Sequence, residues 1–168
     1  FTNADGGSLY LVNKDESELH FRILMNDTLN TFFVSGRENE KPFPPLPLYD
    51  VEGRPNYRNI ATYVALTGKP INIEDAYCAD GFDFSGTRAF DAKTGYRSKS
   101  FLTVPLKSTR GAMMGVLQLI NARDDAGQVI AFDKSIEPII AALASQAAVA
   151  IENSRLLLAQ RDLMESFV

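Results

Sequence analysis

The chain has 168 residues, 45% of them hydrophobic and 23% charged, which suits one domain with a core of its own. A net charge of −4 supplies no basic field for a nucleic acid or an anionic membrane surface. One cysteine, Cys78, excludes an internal disulfide and fits a reducing, cytoplasmic setting; with a single His as well, it argues against zinc.

In chain order, Ser8–Val12 reads as a strand entered through Gly6-Gly7. Residues Glu18–Leu24 alternate, with Leu19, Phe21 and Ile23 on one face and Glu18, His20 and Arg22 on the other. The turn Asn13–Glu16 makes these two strands a hairpin. From Ser35 to Asn59, five prolines (Pro42, Pro44, Pro45, Pro47 and Pro55) favour an extended, polyproline-like excursion over helix or ladder. Phe43, Leu46 and Leu48 give that excursion something to bury. Asn59–Thr67 reads as a short helix stopped by Gly68 and Pro70, and Ile71–Ile73 as a short strand. Phe101–Leu106 and Met113–Asn121 read as strands joined by a turn, and Asp124–Phe132 as a polar loop.

From about Asp133 the pattern is helical to the end. Asp133 or Ser135 serves as cap, Pro138 falls in the first turn, and the helix runs roughly 30 residues, or ~45 Å. Its alanine-rich side would admit a close backbone, and residues 154–168 are expected to leave the globule. No continuous apolar run approaches the ~18 residues of a membrane span, and no signal peptide precedes it. Since the chain starts at Phe1-Thr2-Asn3 without Met, an excised piece of a larger protein is expected.

No catalytic or metal constellation stands out. Asp75, Asp80, Asp83 and Asp91 crowd one segment but lack the order of a calcium loop, so a solvated acidic loop is the reading. Thr67-Gly68-Lys69-Pro70 is a turn, not a phosphate loop. His20 lies on the polar face of a strand, and Cys78 has no basic neighbour to activate it. The segment from Gly81 to Ser98 is more informative. It mixes the rings Phe82, Phe84, Phe90 and Tyr96 with the hydroxyls Ser85, Thr87, Thr94 and Ser98, and Gly81, Gly86 and Gly95 let it bend. Two readings stand: a lid that stacks rings over a flat ligand, or a satellite core of the loop itself.

Five stretches, taken in order, resemble a GAF domain, a small-molecule sensory module of signalling proteins. They are Ala4–Val12, Val64–Tyr77 (VALTGKPINIEDAY), Lys93–Leu106 (KTGYRSKSFLTVPL), Gly115–Ala122 (GVLQLINA) and Ala142–Asn153 (ALASQAAVAIEN). The resemblance implies an α+β fold with a central six-stranded antiparallel sheet. Helices cover one face, ligand-pocket loops and short helices cover the other, and a long C-terminal helix follows. It implies one domain over 1–153, a linker helix over 154–168, and an N-terminal helix preceding Phe1. It further implies a homodimer through terminal helices and an attached output domain: a phosphodiesterase, a cyclase, an HD-type phosphohydrolase or a kinase.

The best-known ligands of the family are cyclic AMP and cyclic GMP; other branches bind bilin, haem, amino acids or simple ions, but Cys78 without a neighbouring His speaks against bilin and His20 is poorly placed for haem. Carried over one position at a time, Ser8, Ala61, Thr94 and Ser98 fall where pocket contacts are expected. Thr87 stands where one such pocket carries an aromatic ring. Asn26 is placed to read a base edge, with Leu24 and Met25 packing on it; Phe84 completes the candidate set. The motif of the cyclic-nucleotide subset is partly present. Asn121, Phe132 and Glu137 remain, but Ala122 and Ile136 replace its Lys and Asp. Two function classes follow: a non-enzymatic ligand sensor, or a dimerisation module whose pocket its own Phe and Tyr rings fill. A methionine-sulfoxide-reductase reading fails because that chemistry needs several cysteines.

Overall fold

A computed structural model describes residues 2–36 and 43–167. Pro42 of the expected excursion lies outside them. The elements are β1 (Ala4–Val12), β2 (Glu18–Asn26), β3 (Thr31–Val34), β4 (Leu46–Pro47), α1 (Ile60–Thr67), β5 (Ile71–Ile73), α2 (Ser85–Thr94), β6 (Phe101–Lys107), β7 (Met113–Arg123), β8 (Val129–Ile130) and α3 (Glu137–Ser166), the last entered through a 3-10 turn at Lys134–Ile136. The central sheet is antiparallel, in the order β3-β2-β1-β7-β6-β5, with the two-residue strands β4 and β8 paired to β2 and β7. The fold is α+β.

Alternation sorts the strands into two faces. On one, Leu102, Val104 and Leu106 of β6 meet Ile140, Ala144 and Ala148 of α3. The spacing of four keeps those three on one helix face, and two alanines let the helix sit close. The Asp133 carboxylate accepts from the Ser135 N–H and caps the entry turn. On the other face, Tyr10, Val116 and Phe101 meet Ile60, Ala61, Val64 and Ala65 of α1 and Phe84 at the start of α2. Asn59 caps α1 by accepting from the Ala61 N–H.

Several expectations are corrected. The register of β1 on β2 shifts between Leu9, opposite Ile23, and Tyr10, opposite Phe21. Arg22 is therefore an extra residue, a β-bulge, and it turns Ile23 away from the face that Leu19 and Phe21 share. Beyond the bulge, Leu24 and Asn26 come back to the Ser8 and Tyr10 face. Residues 85–94, read as part of a loop, form α2. Thr31–Val34 adds a strand that the sequence reading left unassigned, although its Thr, Phe and Val side chains favour one. The proline excursion does join the ladder, since Leu46–Pro47 pairs with Leu19 and Glu18 at a position where Pro47 needs no N–H.

Residues 153–167 of the last helix are all exposed. By length and composition Lys134–Ser166 would also pass as a membrane span, at a mean hydropathy of 1.3 over its best 18 residues, contrary to the reading from continuous runs. Ser145-Gln146 inside the stretch, and Glu137 and Glu152 at its ends, hide this in a run count. A core helix passes the same test, but only 17% of that window is buried, and Ile139 and Leu143 stay exposed beside the docked stripe.

Candidate functional site

A cavity of about 600 Å³ lies between the sheet and the layer formed by α1, α2 and the strap at Phe43–Leu46. Its floor follows from strand register. Leu24, Ser8, Gln118 and Thr103 are successive partners across β2, β1, β7 and β6. They form one row, flanked by Asn26, Gly6, Ile120 and Phe101 on one side and by Phe21, Tyr10 and Val116 on the other. Ser8, Gln118 and Thr103 are buried, so neutral polar groups sit in the middle of an apolar floor. Gln118 Nε2 donates to Thr103 Oγ1 at 3.1 Å. Gly6 is needed in the next row, because a Cβ there would lie 2.9 Å from the Met25 carbonyl oxygen and 3.2 Å from Asn26 Nδ2.

The roof is pinned at one end. Asp91 of α2 is buried and accepts from the Tyr77 hydroxyl (2.7 Å), the Ser98 N–H (2.8 Å) and the Ser98 hydroxyl (2.8 Å). Arg97 stacks on Tyr77, with its guanidinium carbon 3.6 Å from the ring centre. The Asp91 carboxylate beside it raises the Tyr77 phenol above its ordinary value. Gly95 ends α2 at a left-handed φ of 73°, which turns the chain back to the sheet.

Tyr96 then closes the cavity wall. Its hydroxyl donates to Asp5 Oδ2 (2.7 Å) and accepts from Asn121 Nδ2 (2.9 Å). Burial first, and then that carboxylate, push the Tyr96 phenol up; burial does the same to Tyr10. Asn121, at a left-handed φ of 57°, also accepts from the Lys99 and Ser100 N–H groups and donates to the Arg97 carbonyl.

The mouth carries charge. Arg58 and Asp83 face each other at 3.3 Å, beside the N-terminus of α2. Hydrogen bonds from Ser85 hold the Asp83 carboxyl below the usual carboxylate range. A second cavity of about 370 Å³ lies on the opposite face, between β1 and α3, and its lining is largely apolar. Among the described residues no cluster of three or more His, Cys, Asp or Glu is gathered as a metal would require.

The GAF domain family model matches residues 1–151. The chain belongs to the GAF domain family. Its sequence is 33% identical over 123 residues to the probable 3′,5′-cyclic phosphodiesterase pde-5 of Caenorhabditis elegans, covering 73% of this chain and 15% of that protein. It is 35% identical over 127 residues to the dual 3′,5′-cyclic-AMP and -GMP phosphodiesterase 11 of Drosophila melanogaster, covering 71% of this chain and 8% of that protein. The chain thus spans a small part of each relative's length. Among solved structures, the GAF domain from a phosphoenolpyruvate-protein phosphotransferase of Coxiella burnetii superposes with a TM-score of 0.59 at 16% identity, over 93% of this chain and 76% of that one. A domain of a two-component sensor histidine kinase protein of Sinorhizobium meliloti gives 0.55 at 16% identity, over 95% of this chain and 86% of that one. At these identities the likeness is one of fold.

Within this GAF domain, Ser8, Met25, Asn26, Phe84, Thr87 and Ser98 line the larger cavity. Ala61 and Thr94 do not. Ala61 is buried against the sheet, and Thr94, one turn beyond Phe90, spends its hydroxyl on the Phe90 carbonyl at the exposed end of α2. Two of the six are already engaged. The Ser98 hydroxyl is given to Asp91, and Asn26 Oδ1 accepts the Leu29 N–H of the next turn. The candidate set left out Gln118, Arg58 and Phe43, and Phe90 entered the sequence reading only as one ring of the possible lid. Gln118 had a signal, as the one polar residue on the inward face of β7; Phe43 had one only for burial, and Arg58 had none.

Proposed function

We propose that this GAF domain is a non-enzymatic, cytoplasmic sensor that binds a small cyclic nucleotide in the larger cavity. It signals through α3 to an attached output domain, such as a phosphodiesterase, a cyclase, an HD-type phosphohydrolase or a kinase, within a homodimer formed by the exposed part of α3. The cavity carries this reading. At about 600 Å³, mostly apolar with a few convergent polar groups, it has the size and chemistry of a small-molecule site. The rings that a self-filled pocket would need are elsewhere. Phe82 packs on Tyr63, with ring centres 5.3 Å apart, and Phe84, Phe90 and Tyr96 form wall.

Ser8 and Gln118, the latter held from behind by Thr103, suit the hydroxyls and ring edges of a nucleoside. Arg58, held by the Asp83 carboxylate, suits one negative charge at the mouth when it exchanges that partner for the ligand. The cyclic-nucleotide phosphodiesterase relatives support the choice of cyclic AMP and cyclic GMP. For signalling, the ligand must favour one arrangement of α2 and α3 over another, since equal affinity for both would shift nothing.

Thermal melting against both cyclic nucleotides tests this. Ligand at a hundred times Kd adds about 2.7 kcal/mol, worth roughly 5–10 °C for a domain of this size. Gln118→Leu should weaken binding by about tenfold, the loss of one hydrogen bond. An unchanged melting point with both compounds at saturating concentration would remove the cyclic-nucleotide reading.

A further inference from the structure

Among the described residues seven aromatic rings line the larger cavity, and they are not equivalent. Tyr10 and Phe21 pack on each other at 4.4 Å, and Phe43 sits against Phe21 and Phe33, at 5.1 Å from each. Phe84 and Phe101 are buried and pack together at 6.2 Å. Tyr96 is buried and its hydroxyl is held by Asp5 and Asn121. Phe90 differs from all of these. It lines the cavity, is 40% exposed, and makes no ring–ring contact among the described residues.

Its position on α2 explains what it is free to do. Gly86 and Thr87, four and three residues earlier, line the same cavity and share its helix face. A helical side chain leans toward the N-terminus, over the residues three and four before it. Under Phe90 those residues are small, and a Cβ added at Gly86 would meet nothing within 4 Å. The next residue, Asp91, is the buried anchor of the helix, so the ring is carried on a fixed backbone although its face is unoccupied.

We infer that Phe90 is the ring on which a planar group of the ligand stacks. The inference rests on the larger cavity being the ligand site. It deepens that reading by assigning the ligand a flat heterocycle, held at Phe90 above the neutral row of the floor. An exposed, ring-free neighbourhood on the cavity side costs the apo protein hydration of an apolar surface, and a stacked heterocycle recovers it.

The test uses the full chain and three probes: cyclic GMP, cyclic AMP and adenine, each followed by calorimetry and ligand-detected NMR. Phe90→Leu and Phe90→Met remove the ring from an exposed helix position and keep good helix formers there, so both should melt as the wild type does. The expected result is binding of at least one probe, weakened about tenfold or more by either variant and retained by Phe90→Tyr. Wild-type affinity in the Leu and Met variants overturns the stacking role and leaves the sensor reading intact. Adenine binding that depends on Phe90, without binding of either cyclic nucleotide, supports the stacking role and removes the cyclic-nucleotide reading. Failure of all three probes to bind the wild type at millimolar concentration overturns both.

Discussion

The Tyr96 hydroxyl donates to Asp5 Oδ2 at 2.7 Å and so fastens the chain after α2 to the first strand, 91 residues earlier. Asp5 is buried and shares its other oxygen between the Thr28 hydroxyl (2.9 Å) and the Arg123 guanidinium (3.1 Å). Removing the Tyr96 hydroxyl strands one carboxylate oxygen and leaves Asn121 Nδ2 with its bond to the Arg97 carbonyl alone. Tyr96→Phe should therefore cost about 1–3 kcal/mol in urea denaturation, more than the loss of an exposed hydrogen bond. A cost near zero would mean that water or Asn26 replaces the hydroxyl without penalty.

The buried tyrosines set the alkaline limit of stability. Tyr10 and Tyr96 hold their protons more tightly when folded than a free phenol of pKa 10.0. Their contribution is whole below pH 10 and is lost as the pH rises from there toward the folded values. Each such tyrosine should steepen the fall by about 1.4 kcal/mol per pH unit. Denaturation midpoints taken at rising pH should decline less steeply in Tyr96→Phe than in the wild type. Equal slopes would show that Tyr96 ionises freely in the folded state.

Asp91 holds the roof of the cavity. Asp91→Ala leaves the Tyr77 hydroxyl and both Ser98 donors without their acceptor and should cost roughly 1.5–3 kcal/mol. Amide exchange should rise along Ser85–Thr94 and stay unchanged in the docked half of α3, because the two elements pack on opposite faces of the sheet. Uniform loss of protection would show instead that Asp91 governs global unfolding.

Gly6→Ala tests the floor. The new methyl would press on the Met25 carbonyl and the Asn26 amide, at 2.9 and 3.2 Å. Central β1 cannot move away, since β2 and β7 flank it on both sides. A loss of about 1–3 kcal/mol is expected, together with shifted NMR signals from Asn26 and Leu29. A neutral substitution would mean that β1 and β2 slide apart without cost.

The exposed end of α3 separates association from folding. Its buried contacts are at Ile140, Ala144 and Ala148, whereas Leu156, Leu157 and Leu163 are more than half exposed. A chain ending at Asn153 should melt at the same temperature, measured at low concentration, and sediment as a monomer where the full chain is a dimer. A full chain that is already monomeric at high concentration would remove the dimer from the proposed function.

Most elements were legible because each buries a single face. Alternation in ELHFRIL, the Asn59 cap before an apolar turn, and the spacing of Ile140, Ala144 and Ala148 are local patterns with periods of 2 and 3.6. α2 escaped this logic. Its residues SGTRAFDAKT carry no apolar stripe, and the helix is held by Phe84 at its start and by one buried carboxylate, Asp91. The bulge at Arg22 escaped it too, because a register shift belongs to two strands at once.

From the sequence alone came the family resemblance, the α+β order of elements, the long helix and the suspicion of a lid. Tertiary structure decided which side chains reach the cavity. It turned Leu24 and Asn26 toward the floor, spent the Ser98 hydroxyl on Asp91, kept Thr94 outside, and brought Arg58, Phe43, Phe90 and Gln118 around one space. The reason is physical. A buried face imposes its period on neighbouring residues and can be read along the chain, whereas a cavity is the space left between segments far apart in sequence, and no local pattern records its walls.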